Sequence, residues 1–428
     1  MGMREIPGEK VVYRNIELQD SHLLAVAREH GAYAAARKAL GMSSEEVIEE
    51  VKQSNLRGRG GAGFPAGMKW SFIPKDNSRP HYLICNADEG EPGTCKDREI
   101  LRHDPHLLIE GMIIAAYAVR AERGYVYIRG EFVREAERLQ QAVDDAYAAG
   151  LLGDDVMGSG FRFHLAVHRG AGAYVCGEET ALIESLEGKK GQPRLKPPFP
   201  ANVGLYNCPT VINNVETLSA VPAILERGGA WYAGLGVPKS SGTKVFSVSG
   251  HVVRPGNYEV PLGIPLRTLL DDYAGGVRGG WENLKGVIPG GSSTPVLTAE
   301  VCATITMDYD ALAKAGSMLG AGSVIVLDKS VCIVRAISRL SRFYRHESCG
   351  QCTPCREGTG WLAKIMNRLE AGQGSVGDIE LLQDICNNIS GKTICALGDA
   401  AAMPVAGAIR AFPEEFAYHI KHGRCMVG

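Results

Sequence analysis

Three cysteines, Cys349, Cys352 and Cys355, lie within seven residues in the pattern C-x₂-C-x₂-C. Their thiolates could bind zinc or an iron–sulfur cluster, but tetrahedral zinc usually takes two ligands from each of two separated loops. A four-iron cluster needs one thiolate on each iron, and one tight loop can supply three of them. The spacing therefore favours a [4Fe–4S] cluster, with a zinc-stabilised loop as the alternative.

The fourth cysteine ligand must come from elsewhere in the chain, and the candidates are Cys386 and Cys395. Cys395 lies between Gly391 and Gly398, where glycine-rich backbone can approach a cluster and donate hydrogen bonds to its sulfur atoms. Cys386 lies in a stretch with helical periodicity, so we expect Cys395 to be the ligand. The other cysteines occur singly and are expected to be small buried apolar residues, at positions 85, 95, 176, 208, 302, 332 and 425.

A glycine-rich loop at residues 56–65 contains Gly58, Gly60 and Gly63 in the letters of the dinucleotide fingerprint. That fingerprint requires a strand before the loop and a helix after it. Here a helical stretch precedes the loop and Phe64-Pro65 ends it, so we reject an ordinary Rossmann dinucleotide site. The glycines still allow backbone amides to approach a phosphate or a ring, unless the loop is only a structural turn. Positive charge and aromatic faces for such a ligand could come from Arg57, Arg59, Lys69, Phe64 and Phe72.

A second glycine loop, with Gly170 and Gly172, follows a predicted strand and leads into a helix that begins near Glu178. Glu178 and Glu179 at that helix start would repel a phosphate, but carboxylates accept hydrogen bonds from hydroxyl groups. The loop therefore suits a ribityl chain or a ribose. Alternatively, the acidic pair only complements the helix dipole.

Polar residues also follow two other predicted elements. Asn86 and Asp88 come just after a strand, where an α/β sheet places its ligands, and they could contact the edge of a flavin. Asn213 and Asn214, with Thr217, lie where a loop meets a helix. They could add polar contacts to a ligand, or they could simply cap the helix.

Strand and helix signals alternate around these loops, which predicts an α/β sheet covered by helices. A change of character near residue 240 predicts a small α+β module, and helical periodicity from about residue 330 predicts a helical domain. Predicted strands cover 82–85, 125–128, 161–167, 244–249, 258–260 and 324–327. Predicted helices cover 107–120, 133–149, 214–227 and 266–273, with a helical stretch at 21–54 that contains a cap at 43–46.

The composition excludes several functional classes. A formal net charge of −2 over 428 residues gives no electrostatic footprint for nucleic acid. The most apolar stretch, residues 107–119, contains Glu110 and is shorter than the ~20 residues that cross a bilayer, so we expect membrane contact only through partners. The start of the chain has no apolar core of a signal peptide, and twelve cysteines then indicate a reducing compartment.

Five motifs in this order resemble the NADH-binding flavoprotein subunit of respiratory complex I, a family that includes diaphorase subunits of NAD-linked hydrogenases and formate dehydrogenases. The resemblance extends over nearly the whole chain. The motifs are Leu56-Arg-Gly-Arg-Gly-Gly-Ala-Gly-Phe-Pro65, Asn86-Ala-Asp-Glu-Gly-Glu-Pro92, Gly170-Ala-Gly-Ala-Tyr-Val-Cys-Gly-Glu-Glu-Thr180, Arg194-Leu-Lys-Pro-Pro-Phe199 and Glu347-Ser-Cys-Gly-Gln-Cys-Thr-Pro-Cys-Arg-Glu357.

The resemblance implies ligands for each residue group. FMN would contact the first glycine loop and a set of polar residues, namely Gly60, Gly61, Gly63, Lys69, Asn86, Asp88, Tyr174, Gly177, Glu178, Asn213, Asn214 and Thr217. NADH would place its adenine on Phe64, Phe72 and Phe199, and its ribose hydroxyls near Glu179 and Lys196. Glu91, near the nicotinamide and the flavin, would act in catalysis, and the [4Fe–4S] cluster would bind Cys349, Cys352, Cys355 and Cys395.

The resemblance also implies an α/β fold class with four parts: an N-terminal helical segment at 1–55, a Rossmann-like FMN/NADH-binding domain at 56–240, a ubiquitin-like β-grasp domain of the soluble-ligand-binding kind at 241–329, and a helical [4Fe–4S] domain at 330–428. Electrons would leave to a small [2Fe–2S] thioredoxin-like subunit and a large iron–sulfur subunit, towards quinone. The location implied is peripheral, on the cytoplasmic side of a bacterial inner membrane or the matrix side of the mitochondrial one. The alternatives are a hydrogenase or formate dehydrogenase diaphorase and a flavin-free iron–sulfur relay.

Overall fold

The structure is a computed structural model that describes residues 9–76 and 78–427. The first eight residues, on which the expectation about a signal peptide rests, lie outside the described part. The predicted helical stretch at 21–54 contains three helices, α1 (Leu24–Glu29), α2 (Ala34–Leu40) and α3 (Ser44–Gln53). The predicted cap is confirmed, because Ser43 and Glu46 form a reciprocal capping box at the start of α3.

A four-stranded parallel sheet forms the centre of the first unit, in the order β3-β2-β1-β4. In chain order the elements are α4 (Ala66–Ser71), β1 (Tyr82–Ala87), α5 (Lys96–His103), α6 (Pro105–Ala118), β2 (Arg123–Ile128), α7 (Val133–Ala148), β3 (His164–Arg169), α8 (Glu179–Leu186), β4 (Thr210–Asn214), α9 (Val215–Arg227), α10 (Gly229–Ala233), and the short strands β5 (Gly236–Val237) and β6 (Ser240–Ser241). Each predicted strand and helix of this unit is present, with ends shifted by a few residues.

Strand β4 is an element that the sequence analysis missed, because its residues were interpreted as a loop leading into a helix. Its partner is β1, and the register places Asn86 opposite Asn214. Parallel strands end at the same edge of a sheet. The polar residues that follow β1 and end β4 are therefore neighbours at the carboxyl edge.

The apolar stretch that includes Glu110 is a core helix. Nearly all side chains of α6 are buried, and the Glu110 carboxylate accepts a hydrogen bond from the backbone N–H of Ala36 at 3.1 Å. A buried carboxylate of this kind needs such a partner. Within residues 9–76 and 78–427, no helix has the length and apolar character needed to cross a membrane.

The second unit is a five-stranded mixed sheet in the order β10-β9-β11-β7-β8. Its elements are β7 (Thr243–Gly250), β8 (Gly256–Pro261), α11 (Leu266–Thr268), β9 (Leu284–Ile288), β10 (Leu297–Thr298), α12 (Ala299–Cys302), α13 (Tyr309–Lys314) and β11 (Ser323–Asp328). The predicted hairpin is β7–β8, and the predicted helix at 266–273 is α11 continued by a π-helical turn over Leu269–Tyr273.

The third unit consists of helices that pack around one apolar core. They are α14 (Ile333–Glu347), α15 (Thr353–Glu370), α16 (Asp378–Ile389), α17 (Leu397–Ala411) and α18 (Pro413–His422). The predicted order of an α/β domain, a small α+β module and a helical domain is confirmed.

The N-terminal segment is attached to the second unit. The carboxylate of Glu259 in β8 accepts hydrogen bonds from the backbone N–H groups of Val11, Val12 and Tyr13 at 2.8–3.1 Å. Glu259 is buried, so these donors replace the water that its oxygens would otherwise bind.

Candidate functional site

A cavity of about 560 Å³ lies at the carboxyl edge of the parallel sheet, where all three units meet. Ligand sites typically measure ~300–1,000 Å³, so this cavity has the size of a cofactor site. Its wall includes the first glycine loop, the segments after β1 and before α8, and residues of the second and third units. The wall residues include Gly60, Gly61, Asn86, Asp88, Glu91, Tyr174, Gly177, Glu178, Asn214, Met318, Leu397 and Met403.

The glycines of the first loop have different roles. Gly61 has a φ of +136°, lies in the cavity wall, and would have no atom within 4 Å of an added Cβ. Gly63 has a φ of +66°, and an added Cβ would lie 2.5 Å from the Tyr309 ring. The structural-turn interpretation therefore fits Gly63, whereas the open space at Gly61 fits close approach of a ligand.

The positive charge predicted from Arg57 and Arg59 does not reach the cavity, so this interpretation was wrong. Arg59 is buried and donates hydrogen bonds to the Ser241 carbonyl at 2.7 Å and the Tyr232 hydroxyl at 3.1 Å. The Arg57 guanidinium lies 3.8 Å from the centre of the Tyr309 ring and donates to the Gly63 carbonyl. Both arginines stabilise the loop from behind, because an arginine can satisfy its donors on carbonyls and ring faces.

Two lysines and two glutamates form a charged group near the start of α8. Lys69 is 2.7 Å from Glu179, and Lys196 bridges Glu178 at 2.8 Å and Glu179 at 2.9 Å. Burial raises the pKa of Glu179, but Lys69 and Lys196 more than offset this and lower it to about 2. Glu179 is therefore an anion that can accept hydrogen bonds from hydroxyl groups.

Glu178 has two roles in this group. One carboxylate oxygen accepts hydrogen bonds from the backbone N–H groups of Thr180 and Ala181, which caps α8. The other oxygen faces Lys196, and the residue also lies in the cavity wall. The helix-capping alternative thus describes half of the carboxylate, and the other half is available near the cavity.

The cavity wall contains two buried polar atoms without a protein partner, Oδ2 of Asp88 and Oγ1 of Thr94. Buried polar atoms are nearly always hydrogen bonded, so such orphans indicate a polar ligand. Burial raises the pKa of Asp88 to about 7, against the effect of Arg129. A ligand with polar edges, such as FMN, fits this wall.

The asparagines and Thr217 are held by neighbouring groups. Asn86 donates to the Gly177 carbonyl at 2.8 Å, and Asn214 caps α9 while donating to Asp97 at 2.6 Å; both lie in the cavity wall. Asn213 accepts a hydrogen bond from Trp70 at 2.8 Å, and Thr217 accepts one from the backbone N–H of Arg59 at 2.8 Å. These last two are buried behind the wall, so they position other residues of the site.

Glu91 is fixed where the first and second units meet. Its carboxylate accepts hydrogen bonds from the Tyr174 hydroxyl at 2.7 Å, the backbone N–H of Ser293 at 2.8 Å and the Ser292 hydroxyl at 3.2 Å. An added Cβ on Gly291 would lie 2.6 Å from this carboxylate, so only glycine fits there. The carboxylate thus has a single defined position in the wall.

Three aromatic side chains predicted to stack on adenine are exposed. The exposed fractions are 46% for Phe64, 53% for Phe72 and 55% for Phe199, and the Phe64 and Phe72 rings are 6.1 Å apart at their centres. Exposed aromatic faces are unusual on a folded chain and suit a stacked base.

The thiols of the cysteine motif line one small cavity together with Cys395. Its other wall residues are Pro193, Ser348, Gln351, Ile394 and Leu397. Burial raises the pKa of Cys395 to about 12, so its thiolate form needs the positive charge of bound metal. Four thiols around one space are the donor set of a [4Fe–4S] cluster. Cys386 lies elsewhere, in the core of the helical unit, where its thiol donates to the Ala402 carbonyl at 3.5 Å.

Leu397 lies in the walls of both cavities. One apolar side chain therefore separates the cofactor-sized cavity from the four thiols. Val175, also in the wall of the larger cavity, belongs to the same apolar cluster as Leu397 and Cys355.

The sequence analysis missed several residues of the larger cavity. Lys96 is buried and pairs with Asp97 and Glu216, each at 2.7 Å, and together these charges raise its pKa despite the opposing effect of burial. Its position four residues after the Asn86–Pro92 motif was a usable signal. Met318 and Met403 come from the second and third units, and no local pattern marks such distant residues.

The comparisons with known proteins agree along the chain. Three family models match: Nuo51 FMN-binding domain at residues 51–223, SLBB domain at 244–326, and NADH-ubiquinone oxidoreductase-F iron-sulfur binding region at 335–419. Two solved structures of an NAD+-reducing [NiFe]-hydrogenase are similar. The H2-reduced state has a TM-score of 0.82 and 39% identity over 91% of this chain, which spans 64% of that chain. The air-oxidized state has a TM-score of 0.83 and 36% identity over 96% of this chain and 67% of that chain.

Curated relatives are similar over almost their full length. The F subunit of NADH-quinone oxidoreductase from Rickettsia bellii (strain OSU 85-389) is 55% identical over 96% of this chain and 99% of its own length. The protein of the same name from Rickettsia felis is 56% identical over 96% and 98%, and a second-copy F subunit from Rhizobium meliloti is 55% identical over 97% and 99%. The chain therefore belongs to the family of NADH-quinone oxidoreductase F subunits.

Proposed function

We propose that this chain oxidises NADH as one subunit of a multisubunit NADH–quinone oxidoreductase, with FMN in the large cavity and a [4Fe–4S] cluster at Cys349, Cys352, Cys355 and Cys395. When bound, FMN accepts two electrons as a hydride and releases them singly, and the cluster carries one electron. The observation that carries the proposal is that Leu397 borders both sites.

The residues around the cavity supply binding and orientation. Gly60 and Gly61 would admit the flavin against the backbone, while Asp88 and Thr94 offer the polar atoms that have no protein partner. The remaining proposed FMN contacts are Gly63, Lys69, Asn86, Tyr174, Gly177, Glu178, Asn213, Asn214 and Thr217. Of these, Asn213 and Thr217 would act by positioning Trp70 and the Arg59 backbone.

NADH would bind from the open side of the cavity. Phe64, Phe72 and Phe199 would stack on its adenine, and the charged group of Glu179 and Lys196 would bind ribose hydroxyls. Tyr174, Ser292 and Ser293 hold the Glu91 carboxylate in one position. Glu91 would therefore present a fixed negative charge to the reacting rings, which places the nicotinamide without any proton transfer.

We also propose the finer assignments of partners, location and domains. The electrons would leave to a small [2Fe–2S] subunit and a large iron–sulfur subunit, with the complex on the cytoplasmic or matrix face of its membrane. The four parts at 1–55, 56–240, 241–329 and 330–428 would be the structural domains. A hydrogenase diaphorase is the second candidate, because of the similarity to an NAD+-reducing [NiFe]-hydrogenase. Identity of 55% with full-length quinone-linked relatives favours the first.

The test is to purify the chain anaerobically with its partner subunits and to measure flavin, iron and the absorbance change on adding NADH. We expect about one FMN, four irons that depend on the four cysteines, and bleaching by NADH. Iron without flavin would overturn the proposal in favour of a relay, and zinc at the four cysteines would overturn the cluster assignment. Co-purification with a hydrogenase module would favour the second candidate.

A further inference from the structure

Cys332, His419 and Cys425 meet at one point of the helical unit. Their ligand atoms all lie within 4.8 Å of one another, and Sγ of Cys332 is 3.3 Å from Nε2 of His419. Cys332 precedes α14, His419 is in α18, and Cys425 follows α18. The expectation that Cys332 and Cys425 are isolated apolar side chains was therefore wrong, because the start of α14 lies against the end of the chain.

The imidazole of His419 is oriented as a ligand. Nδ1 is 3.0 Å from the Leu369 carbonyl oxygen, which can only accept a hydrogen bond, so Nδ1 carries the proton. Nε2 is then the unprotonated nitrogen, and it faces Cys332. Histidines that bind metals typically have their other nitrogen fixed in this way by a carbonyl or carboxylate. His419 is 1% exposed, so this orientation is fixed by its surroundings.

Both sulfur atoms accept backbone hydrogen bonds of the kind that stabilise thiolates. The N–H of Arg335 donates to Cys332 at 3.4 Å, at the positive end of α14, and the N–H of Val427 donates to Cys425 at 3.4 Å. Burial nevertheless raises the pKa of Cys332 to about 11, and Cys425 raises it further. Two adjacent thiols in this environment ionise together only if a cation compensates them.

We propose that Cys332, His419 and Cys425 bind one zinc ion, with water in the fourth position. Thiolate and imidazole ligands suit zinc and exclude magnesium and calcium. Zinc bonds of ~2.3 Å to sulfur and ~2.0–2.1 Å to nitrogen in a tetrahedron separate the two ligand atoms by about 3.6 Å, so a small adjustment from 3.3 Å would admit the ion. Cys425 is only partly buried, which leaves the fourth position open to solvent.

This zinc site is separate from the proposed cluster site and independent of the proposed function. Cys332 belongs to the core of the helical unit, whereas the four cluster cysteines pack against the apolar cluster around Leu397. The ion would join the start of α14 to the chain end beyond α18. Its role is thus to attach the last residues to the helical unit.

The test compares zinc in the wild type with Cys425→Ser, using the full chain purified anaerobically with its partners and passed through EDTA and gel filtration. Cys425 is partly exposed and near the chain end, so its replacement should not prevent folding, and unchanged flavin and iron contents would verify this. Cys208→Ser, another partly buried cysteine, is the matched control. Because partner subunits contribute equally, the difference between variants measures this site alone.

We expect Cys425→Ser to lose about one zinc per chain and Cys208→Ser to lose none. We also expect zinc X-ray absorption of the wild type to gain a component with two sulfur and two lighter ligands, which the variant lacks. Equal zinc in wild type and Cys425→Ser would overturn the proposal. So would a Cys332–Cys425 disulfide in the anaerobic protein, or equally fast alkylation of Cys425 and Cys208 in the metal-loaded wild type.

Discussion

Asp88 is a carboxyl group in the cavity wall whose protonation depends on its surroundings. Burial raises its pKa to about 7, and its Oδ2 has no protein partner. For an acid whose pKa is raised on folding, the unfolded chain binds fewer protons between the two pKa values. The contribution of Asp88 to stability is therefore complete below its unfolded pKa of about 4 and is lost as the pH rises through about 7.

Replacing Asp88 with Asn removes this titration. In the flavin-free chain we expect Asp88→Asn to gain stability relative to the wild type by about 1–3 kcal/mol between pH 5 and pH 8. Urea unfolding of both proteins at the two pH values measures the difference. A difference that stays constant with pH would show that Asp88 does not titrate in this range.

The cysteines give a second prediction about single residues. Cys395→Ala should remove the four irons, because Cys395 lines the same cavity as the three motif cysteines. Cys386→Ala is the matched control: Cys386 also follows the motif, but its thiol contacts the Ala402 carbonyl inside the bundle. Iron analysis and the visible spectrum of the two variants check this. Retention of iron in Cys395→Ala would contradict the assignment.

At the scale of elements, the first glycine loop depends on its contact with α13. Gly63 has a positive φ, and an added Cβ would lie 2.5 Å from the Tyr309 ring. We expect Gly63→Ala to cost about 2 kcal/mol or more from backbone strain and the clash together. Denaturant unfolding of Gly63→Ala, Tyr309→Ala and the double variant measures it. The double variant should lose less than the sum of the two; strict additivity would rule out the clash.

The elements also show what a sequence can predict. Regular periodicity predicted the long helices, and the capping residues placed the start of α3 correctly. Strand β4 was missed because its residues are buried by β1 and α9, a context that its own five residues do not encode. Among site residues, local motifs predicted Asn86, Asp88 and Cys395. The direction of Arg59 could not be predicted, since its partners Tyr232 and Ser241 lie more than 170 residues away.

At the scale of the whole molecule, a buried charge group joins the first and second units. Glu216 at the start of α9 pairs with Lys96 at 2.7 Å and with Lys244 of β7 at 3.3 Å, and it accepts a hydrogen bond from the N–H of Val245 at 2.9 Å. All three charged side chains are nearly inaccessible to solvent. The group therefore stabilises the interface only as long as its charges balance.

Neutralising its shared carboxylate should destabilise both units. We expect Glu216→Gln to cost about 3–5 kcal/mol, because it leaves two lysines buried with less counter-charge. Glu226→Gln is the control, since Glu226 forms an exposed pair with Arg14 and should matter by at most about 1 kcal/mol. Thermal unfolding of both variants measures the costs. Equal, small effects would show that the buried group carries little stability.

The contact between Glu259 and residues 11–13 has a consequence for synthesis on the ribosome. The partners are 246–248 residues apart, so at ~5–20 residues per second the N-terminal segment emerges about 12–50 s before Glu259 is made. During that interval its backbone donors have only water or a chaperone to bind. Nascent chains halted before residue 259 should be cleaved at this segment by added protease, and chains halted well beyond it should resist, which makes a segment translated early among the last to be secured.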